Sequence, residues 1–293
     1  MIYKRINESC IEVFDTEQFV PEHILDCGQV FRYHSYDKGY KVYSTDRCAY
    51  LYHERESVVI ECLDKDEEYF NNYFDLSRDY NIIVKSAIES GVEILQKCAN
   101  LGKGIRILNQ DKVETLFSFI VSQNNNIPRI KGIIEKLCLS LGEKKEFLGQ
   151  EYYAFPTVEK MSSAPLELYT SIGLGYRAQY IKRLAQDIAN GFDINAFSNY
   201  DTPLLKKTLV SIYGVGPKVA DCVTLFGYHR SDSFPVDTWI AKVYEQDFKG
   251  ELKDRNKMSK YFVDTFGEHA GYFQQYLFYY KRSLEREEKP KNR

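Results

Sequence analysis

The spacing of apolar residues changes about a third of the way along the chain. From Gly39 to Leu63 the stretch GYKVYSTDRCAYLYHERESVVIECL holds three short Tyr- and Val-rich runs separated by polar breaks. Such runs, with turn residues between them, predict an antiparallel meander. After the acidic stretch LDKDEEYFNNYFDLSRDY, apolar positions recur at three and four. They do so in IIVKSAIESGVEILQKC, VETLFSFIVSQ, PRIKGIIEKLCLSLG, RAQYIKRLAQDIANGF, PLLKKTLVSIYG and KVADCVTLFGY. That is the period of one helix face, so a helical assembly is expected to follow. Gly142, Gly191, Gly214 and Gly227 mark helix ends, and Pro128, Pro203 and Pro217 mark helix starts. The predicted class is α+β: an N-terminal antiparallel sheet domain with flanking helices over 1–103, packed on a mostly helical region over 104–293 in two subdomains. The last ten residues, LEREEKPKNR, are too polar to pack and are expected to fray.

Composition and charge narrow this picture. A chain of 293 residues with 44% hydrophobic residues can bury one large core or two smaller ones. No run of about 18 apolar residues could cross a bilayer, and the opening MIYKRINESCIEVF lacks the apolar stretch of a signal peptide. A cytoplasmic protein with no membrane contact is expected. The seven cysteines are odd in number and form no C-x-x-C pair, which argues against a disulfide framework or a zinc site. The net charge of -3 hides an asymmetry. Residues 1–100 carry 11 Lys and Arg against 19 Asp and Glu, while the rest of the chain carries 28 against 23. The basic excess is modest, so a polyanion would be held by placed backbone amides and a few arginines, not by a broad basic face.

The densest chemical signal is LLKKTLVSIYGVGPKVADCVTLFG, Leu204 to Gly227. Two helices flank a turn in which Gly214, Val215 and Gly216 can point N–H groups outward. The second helix adds an unsatisfied positive end, so the turn suits a phosphate. On the glycines alone, a plain helix-turn-helix corner is an equal reading. Lys218 stands directly after Pro217 at the start of the second helix, and FPVDTWIAKVYEQ follows with Asp237 in helix N-cap position.

The pattern L-x-x-x-x-G-V-G-x-K-x-A-D followed by P-V-D resembles the helix-hairpin-helix-Gly/Pro-Asp superfamily of DNA glycosylases. The resemblance implies that Lys218 is a Schiff-base nucleophile and Asp237 the carboxylate that steadies the cationic sugar. The segments Asn109–Gly142 and GLGYRAQY (173–180), with F-S-F-I, N-N-N-I-x-R-I and G-L-G-Y-R-A in order, resemble 8-oxoguanine DNA glycosylases of the eukaryotic type over most of the chain. The substrate implied is double-stranded DNA containing 8-oxoguanine, paired with cytosine, and the protein is expected to act as a monomer. No cysteine follows Cys222, so the four-cysteine iron–sulfur loop of some relatives is not expected. No cofactor is expected in the chemistry.

A base inside a duplex is out of reach of a side chain, so the damaged nucleotide must be flipped out and the hole filled. By resemblance, Asn124 enters the vacated stack, Tyr176 wedges beside the partner base, and Arg129 and Arg177 donate to the orphaned cytosine. Their chemical types fit edge reading and stacking. The lesion pocket is implied at Gly28, Cys222, Gln274 and Phe278. The Gly28 carbonyl would accept the N7 proton that 8-oxoguanine has and guanine lacks. Each has a plainer reading as well, Gly28 as a turn and Phe278 and Cys222 as core. The carbonyls of Val210, Ile212 and Val215 match those that hold a structural cation in relatives. Two departures stand out: Trp239 occupies the place of a histidine, and Pro128 stiffens the cytosine-reading stretch. The alternatives are a glycosylase of the superfamily for another lesion, and a non-catalytic helix-hairpin-helix DNA binder in which Lys218 only contacts phosphate.

Overall fold

The Tyr/Val-rich runs of the first third become the centre of a six-stranded antiparallel sheet in the computed structural model, which describes residues 2–288. The chain enters through β1 (Tyr3–Asn7) and β2 (Cys10–Val13), passes through helix α1 (Pro21–Asp26), and continues as β3 (Tyr33–Tyr36), β4 (Gly39–Ser44), β5 (Arg47–Glu54) and β6 (Ser57–Cys62). The order across the sheet is β1-β2-β6-β5-β4-β3. Strands β4, β5 and β6 are the expected meander, and β6 also pairs with β2, Ile11 opposite Ile60. One face presents Val42, Ala49, Leu51, Val58 and Ile60 to α1 and to α2 (Glu67–Tyr73), forming a core of its own with Phe70, Tyr73 and Phe74. Alternate residues point the other way, as the two-residue strand period requires.

The helical run opens with α3 (Asn81–Glu89) and α4 (Glu93–Leu101). Although both precede position 103, their apolar faces, Ile83, Ala87, Leu95 and Cys98, join the large core of the helical body. Next come α5 (Lys112–Ser122) and α6 (Ile127–Leu141), then a hairpin of β7 (Lys144–Phe147) and β8 (Gln150–Tyr153). That hairpin brings Phe147 and Tyr152 onto the second face of the six-stranded sheet, against Tyr43, Cys48 and Tyr50. The Lys41 ammonium, buried beneath it, donates to the Phe147 carbonyl at 3.0 Å.

Helices α7 (Val158–Ser163), α8 (Leu166–Ser171), α9 (Arg177–Ala189), α10 (Thr202–Val210), α11 (Pro217–Phe226), α12 (Thr238–Gln246), α13 (Arg255–Phe266) and α14 (Ala270–Glu288) complete the body. Pro128, Pro203 and Pro217 each fall in the first two positions of a helix, where a missing N–H costs nothing. Of the terminal stretch expected to fray, Leu284–Glu288 continues α14, and residues 289–293 lie outside the described residues. Helix α14 packs on both α4 and α12. No helix among the described residues is long and apolar enough to cross a membrane.

Two buried arginines also join the sheet domain and the body. Arg106, fully buried, donates to the carbonyls of Phe74, Gln18 and Arg78 at 2.8–3.0 Å, and its guanidinium lies 4.0 Å from the Tyr80 ring centre. Arg32 faces Glu114 of α5 at 3.2 Å and donates to the Tyr153 carbonyl at 2.8 Å. The Glu114 carboxylate also accepts the Thr45 amide at 2.6 Å.

Candidate active site

Helix α10 ends at Val210 and α11 begins at Pro217, so the six residues between them form a tight hairpin. Gly214 takes φ +87° and lies against the Tyr180 ring so closely that an added Cβ would sit 2.3 Å from Cγ. A side chain there would force the turn away from α9. Gly216, by contrast, faces open space and is the N-cap of α11. No side-chain hydrogen bond from the N-cap takes up the first amides of α11, as an anion site needs.

Lys218 is the second residue of α11, and its ammonium lies 5.4 Å from the Phe119 ring centre. One turn on, Cys222 is buried and lines the same cleft as Lys218. Burial pushes the Cys222 thiol up to about 11, with the lysine charge pulling the other way. Asp237 caps α12: its Oδ1 accepts the amides of Trp239 and Ile240, both at 2.9 Å. Burial raises the Asp237 carboxyl above its ordinary value, opposed by the Ile240 amide, Lys218 and the Trp239 amide. The cap rigidly aims the carboxylate while one oxygen remains beyond the helix bonds.

The facing wall comes from both ends of the chain. Gly28 follows α1 at φ +79°, and an added Cβ would lie 2.9 Å from Cε1 of Phe278 on α14. Gln29, fully buried, fixes this corner by donating to the carbonyls of Ile24 at 3.0 Å and Arg106 at 2.7 Å, and by accepting the Leu108 amide at 2.9 Å. Gln274 is one turn before Phe278. Its amide is held between the Pro235 carbonyl, 3.2 Å away, and the Nε2 of Gln275 at 2.7 Å. Lys218, Cys222, Asp237, Gly28, Gln274 and Phe278 all line one cleft of about 850 Å³ between the helical layers. Trp239 and Pro128 line it too, and the Lys242 ammonium lies 5.0 Å from the Trp239 ring centre.

The residues expected to enter the duplex cluster at the α5–α6 loop. Asn124, exposed at φ +45°, donates through Nδ2 to the Tyr176 hydroxyl at 3.3 Å, and Tyr176 is half exposed. Arg129 is exposed and donates to the Gly173 carbonyl at 3.4 Å. Arg177 differs from its partner. It opens α9 beneath the loop, is buried, and its guanidinium donates to the carbonyls of Gln123, Asn124 and Leu174. In this arrangement it supports the loop and does not project from it. Sequence reasoning gave no role to Gln29, Gln123, Phe119 or Gln275, which hold the neighbours of the named residues. Their only signal was a place within or beside a motif.

A cleft lined by a lysine at a helix start, with a glycine hairpin directly before that helix, fits a helix-hairpin-helix base-excision protein. Residues 117–266 match the family described as HhH-GPD superfamily base excision DNA repair protein, and residues 13–116 match 8-oxoguanine DNA glycosylase, N-terminal domain. The chain belongs to the HhH-GPD superfamily, in the branch that carries the 8-oxoguanine glycosylase N-terminal domain. Among solved structures it is similar to MBOgg1 in complex with a low-affinity DNA ligand, with TM-score 0.91 and 35% identity over 97% of this chain and 100% of that one. The Clostridium acetobutylicum 8-oxoguanine glycosylase/lyase, in complex with dsDNA containing cytosine opposite 8-oxoguanine, matches with the same figures. The N-glycosylase/DNA lyase of Saccharomyces cerevisiae is 38% identical over 160 residues, 50% of this chain and 43% of that protein. The chain thus spans less than half the length of that relative.

Proposed function

We propose that this chain excises 8-oxoguanine from double-stranded DNA and then nicks the strand, with Lys218 as nucleophile. The observation that carries the reading is that the amine, the capped carboxylate and the four lesion-pocket residues, scattered from Gly28 to Phe278, line a single cleft. The likeness over 97% of this chain to MBOgg1 and to an 8-oxoguanine glycosylase/lyase, both solved with DNA, supports it.

The Lys218 amine, once unprotonated, forms a bond to C1′ of the flipped nucleotide as the C1′–N9 bond breaks, and the base leaves with a proton. Opening of the sugar at C1′–O4′ gives a Schiff base. Loss of a C2′ proton then expels the 3′ phosphate, and water releases the lysine. Asp237 steadies the positive charge that develops on the sugar, and its rigid cap keeps that charge pre-aimed. The Gly28 carbonyl accepts the lesion's N7 proton, Phe278 stacks on the base, Cys222 forms the opposite wall, and Gln274 meets the Watson–Crick edge. Arg129 reaches the orphaned cytosine. Arg177 acts beneath it by ordering the loop that carries Asn124.

Borohydride trapping on an 8-oxoguanine:cytosine duplex tests this. A covalent adduct that disappears in Lys218→Gln is expected. No adduct, or an equal adduct in the variant, would favour a binder whose Lys218 only contacts phosphate.

A structural cation at the hairpin belongs to the same reading. Val210 closes α10, so its carbonyl is among those a helix leaves unpaired, while Ile212 accepts the Val215 amide at 3.0 Å and keeps one lone pair. An all-carbonyl set with Val215 suits a hard cation, whose charge would bias the hairpin toward phosphate. A melting temperature and DNA affinity that are the same in potassium, sodium and calcium salts at equal ionic strength would remove it. The protein is proposed to act as a monomer, which sedimentation of the DNA complex checks.

A further inference from the structure

Gln123, the residue that ends α5, bonds in two directions. Its side-chain Nε2 donates to the Gly214 carbonyl at 2.8 Å, in the turn just before Lys218. Its own carbonyl accepts the Arg177 guanidinium, Nε at 2.9 Å. Arg177 also donates to the Asn124 carbonyl at 3.1 Å, and Asn124 donates to the Tyr176 hydroxyl. A second route returns from Tyr176 to the hairpin. The Tyr176 ring packs edge-on against Tyr180 at 5.7 Å between centres, Tyr180 against Tyr213 at 5.0 Å, and Gly214 rests on the Tyr180 ring. The network is therefore closed, and Gln123 is where it crosses from loop to hairpin. Among the described residues, its bond to Gly214 is the hydrogen bond that links residues 123–126 to residues 211–216.

We propose that Gln123 is a positioning residue that locks the phosphate-gripping hairpin to the duplex wedge, so that phosphate binding at Gly216 drives Asn124 and Tyr176 into the stack. The inference rests on the glycosylase reading above. Extruding a base is uphill by a few kcal/mol, and the driving interactions at the phosphate are made some distance from where the wedge acts. A hinge between the two would let the hairpin bind while the wedge stayed back. The Gln123 amide closes that hinge at its centre, and the aromatic path through Tyr180 limits tilting around it. The same bond fixes Gly214 four residues before Lys218, so the wedge and the amine share one frame.

Gln123→Met keeps the length and removes the donor, and Gln123→Glu turns an acceptor toward the Gly214 carbonyl. Three quantities are compared with the unaltered protein: single-turnover excision from an 8-oxoguanine duplex, borohydride trapping on a duplex already carrying an abasic site, and affinity for undamaged duplex. Trapping on the abasic site requires no base to be extruded. Loss of one neutral hydrogen bond corresponds to roughly two- to tenfold, so the ratio of excision to trapping should fall by that factor in Gln123→Met, and further in Gln123→Glu. The defect should shrink when the lesion lies in a weakly paired mismatch. Excision and trapping falling by equal factors, or a lowered melting temperature with the ratio unchanged, would overturn the proposal. Absence of any adduct with the unaltered protein would overturn the glycosylase reading and this coupling with it.

Discussion

Gly28 and Phe278, from opposite ends of the chain, touch so closely that a methyl group on the first would stand 2.9 Å from Cε1 of the second. Gly28 also holds φ +79°, where a Cβ is strained by about 1–2 kcal/mol. Gly28→Ala should therefore displace the Phe278 ring and rotate the carbonyl proposed to accept the N7 proton. The expected result is a stability loss of roughly 1–3 kcal/mol in urea titration, together with excision that falls at least tenfold more than trapping on an abasic duplex. Full-rate excision by this variant would remove Gly28 from lesion recognition.

Asp237 separates capping from charge. Asparagine caps as well as aspartate, so Asp237→Asn should keep the fold within about 0.5 kcal/mol, whereas Asp237→Ala loses about 1 kcal/mol. Excision should fall at least a hundredfold, roughly 3 kcal/mol of lost charge stabilisation, in both. Burial raises this carboxyl, so it takes up its proton at a higher pH than a free aspartate. Excision should then decline on acidification through that raised value, with an acid limb above the ordinary aspartate value of about 4, and the limb should vanish in Asp237→Asn. The stability sign is opposite. A carboxyl raised in the folded state favours folding most below its unfolded value, and that contribution is lost as pH rises through the folded one. The asparagine variant should be no less stable than the parent at neutral pH.

Cys222 lines the open cleft yet has its thiol pushed up to about 11. At pH 8 roughly one molecule in a thousand carries the thiolate, so alkylation by iodoacetamide should be far slower than for an ordinary cysteine. The nearby lysine charge favours the thiolate, so Lys218→Gln should slow alkylation further. Mass spectrometry of the modified peptide reads both. Faster labelling in the variant would contradict the pull of the Lys218 charge on this thiol.

Arg32 and Glu114 meet at 3.2 Å with side chains 7% and 12% exposed. Removing one partner leaves the other charge buried, a cost of about 3–5 kcal/mol. Glu114→Ala should lower stability by that amount in urea titration, and the double change Arg32→Met, Glu114→Leu should recover only part of it, because the Thr45 amide and the Tyr153 carbonyl lose these partners. If the single change proves nearly neutral, the pair does not tie the sheet to α5.

Periodicity made the helices α5, α6, α9, α10 and α11 legible, because three-and-four spacing, proline starts and glycine stops are local constraints that each segment satisfies alone. The same holds for β4 to β6. The hairpin was legible for a related reason: Gly214, Gly216 and Lys218 are neighbours in the chain, so their chemistry can be read without knowing the fold. Gly28, Gln274 and Phe278 became site residues only through resemblance, since nothing in ILDCGQVF or YFQQYLFYY distinguishes a pocket from a core.

By itself, the sequence made β4 to β6 and the helices α5, α6, α9, α10 and α11 legible, and placed Lys218 at a helix start. The tertiary structure decided the pairing of β6 with β2, the return of β7 and β8 onto the sheet, and the membership of α3 and α4 in the helical core. It also decided that Arg177 lies beneath the loop while Arg129 stands clear, and that Gln123 bridges loop and hairpin. These facts depend on contacts between distant segments. Apolar burial is non-directional, so it drives such segments together without encoding in either one which partner it meets.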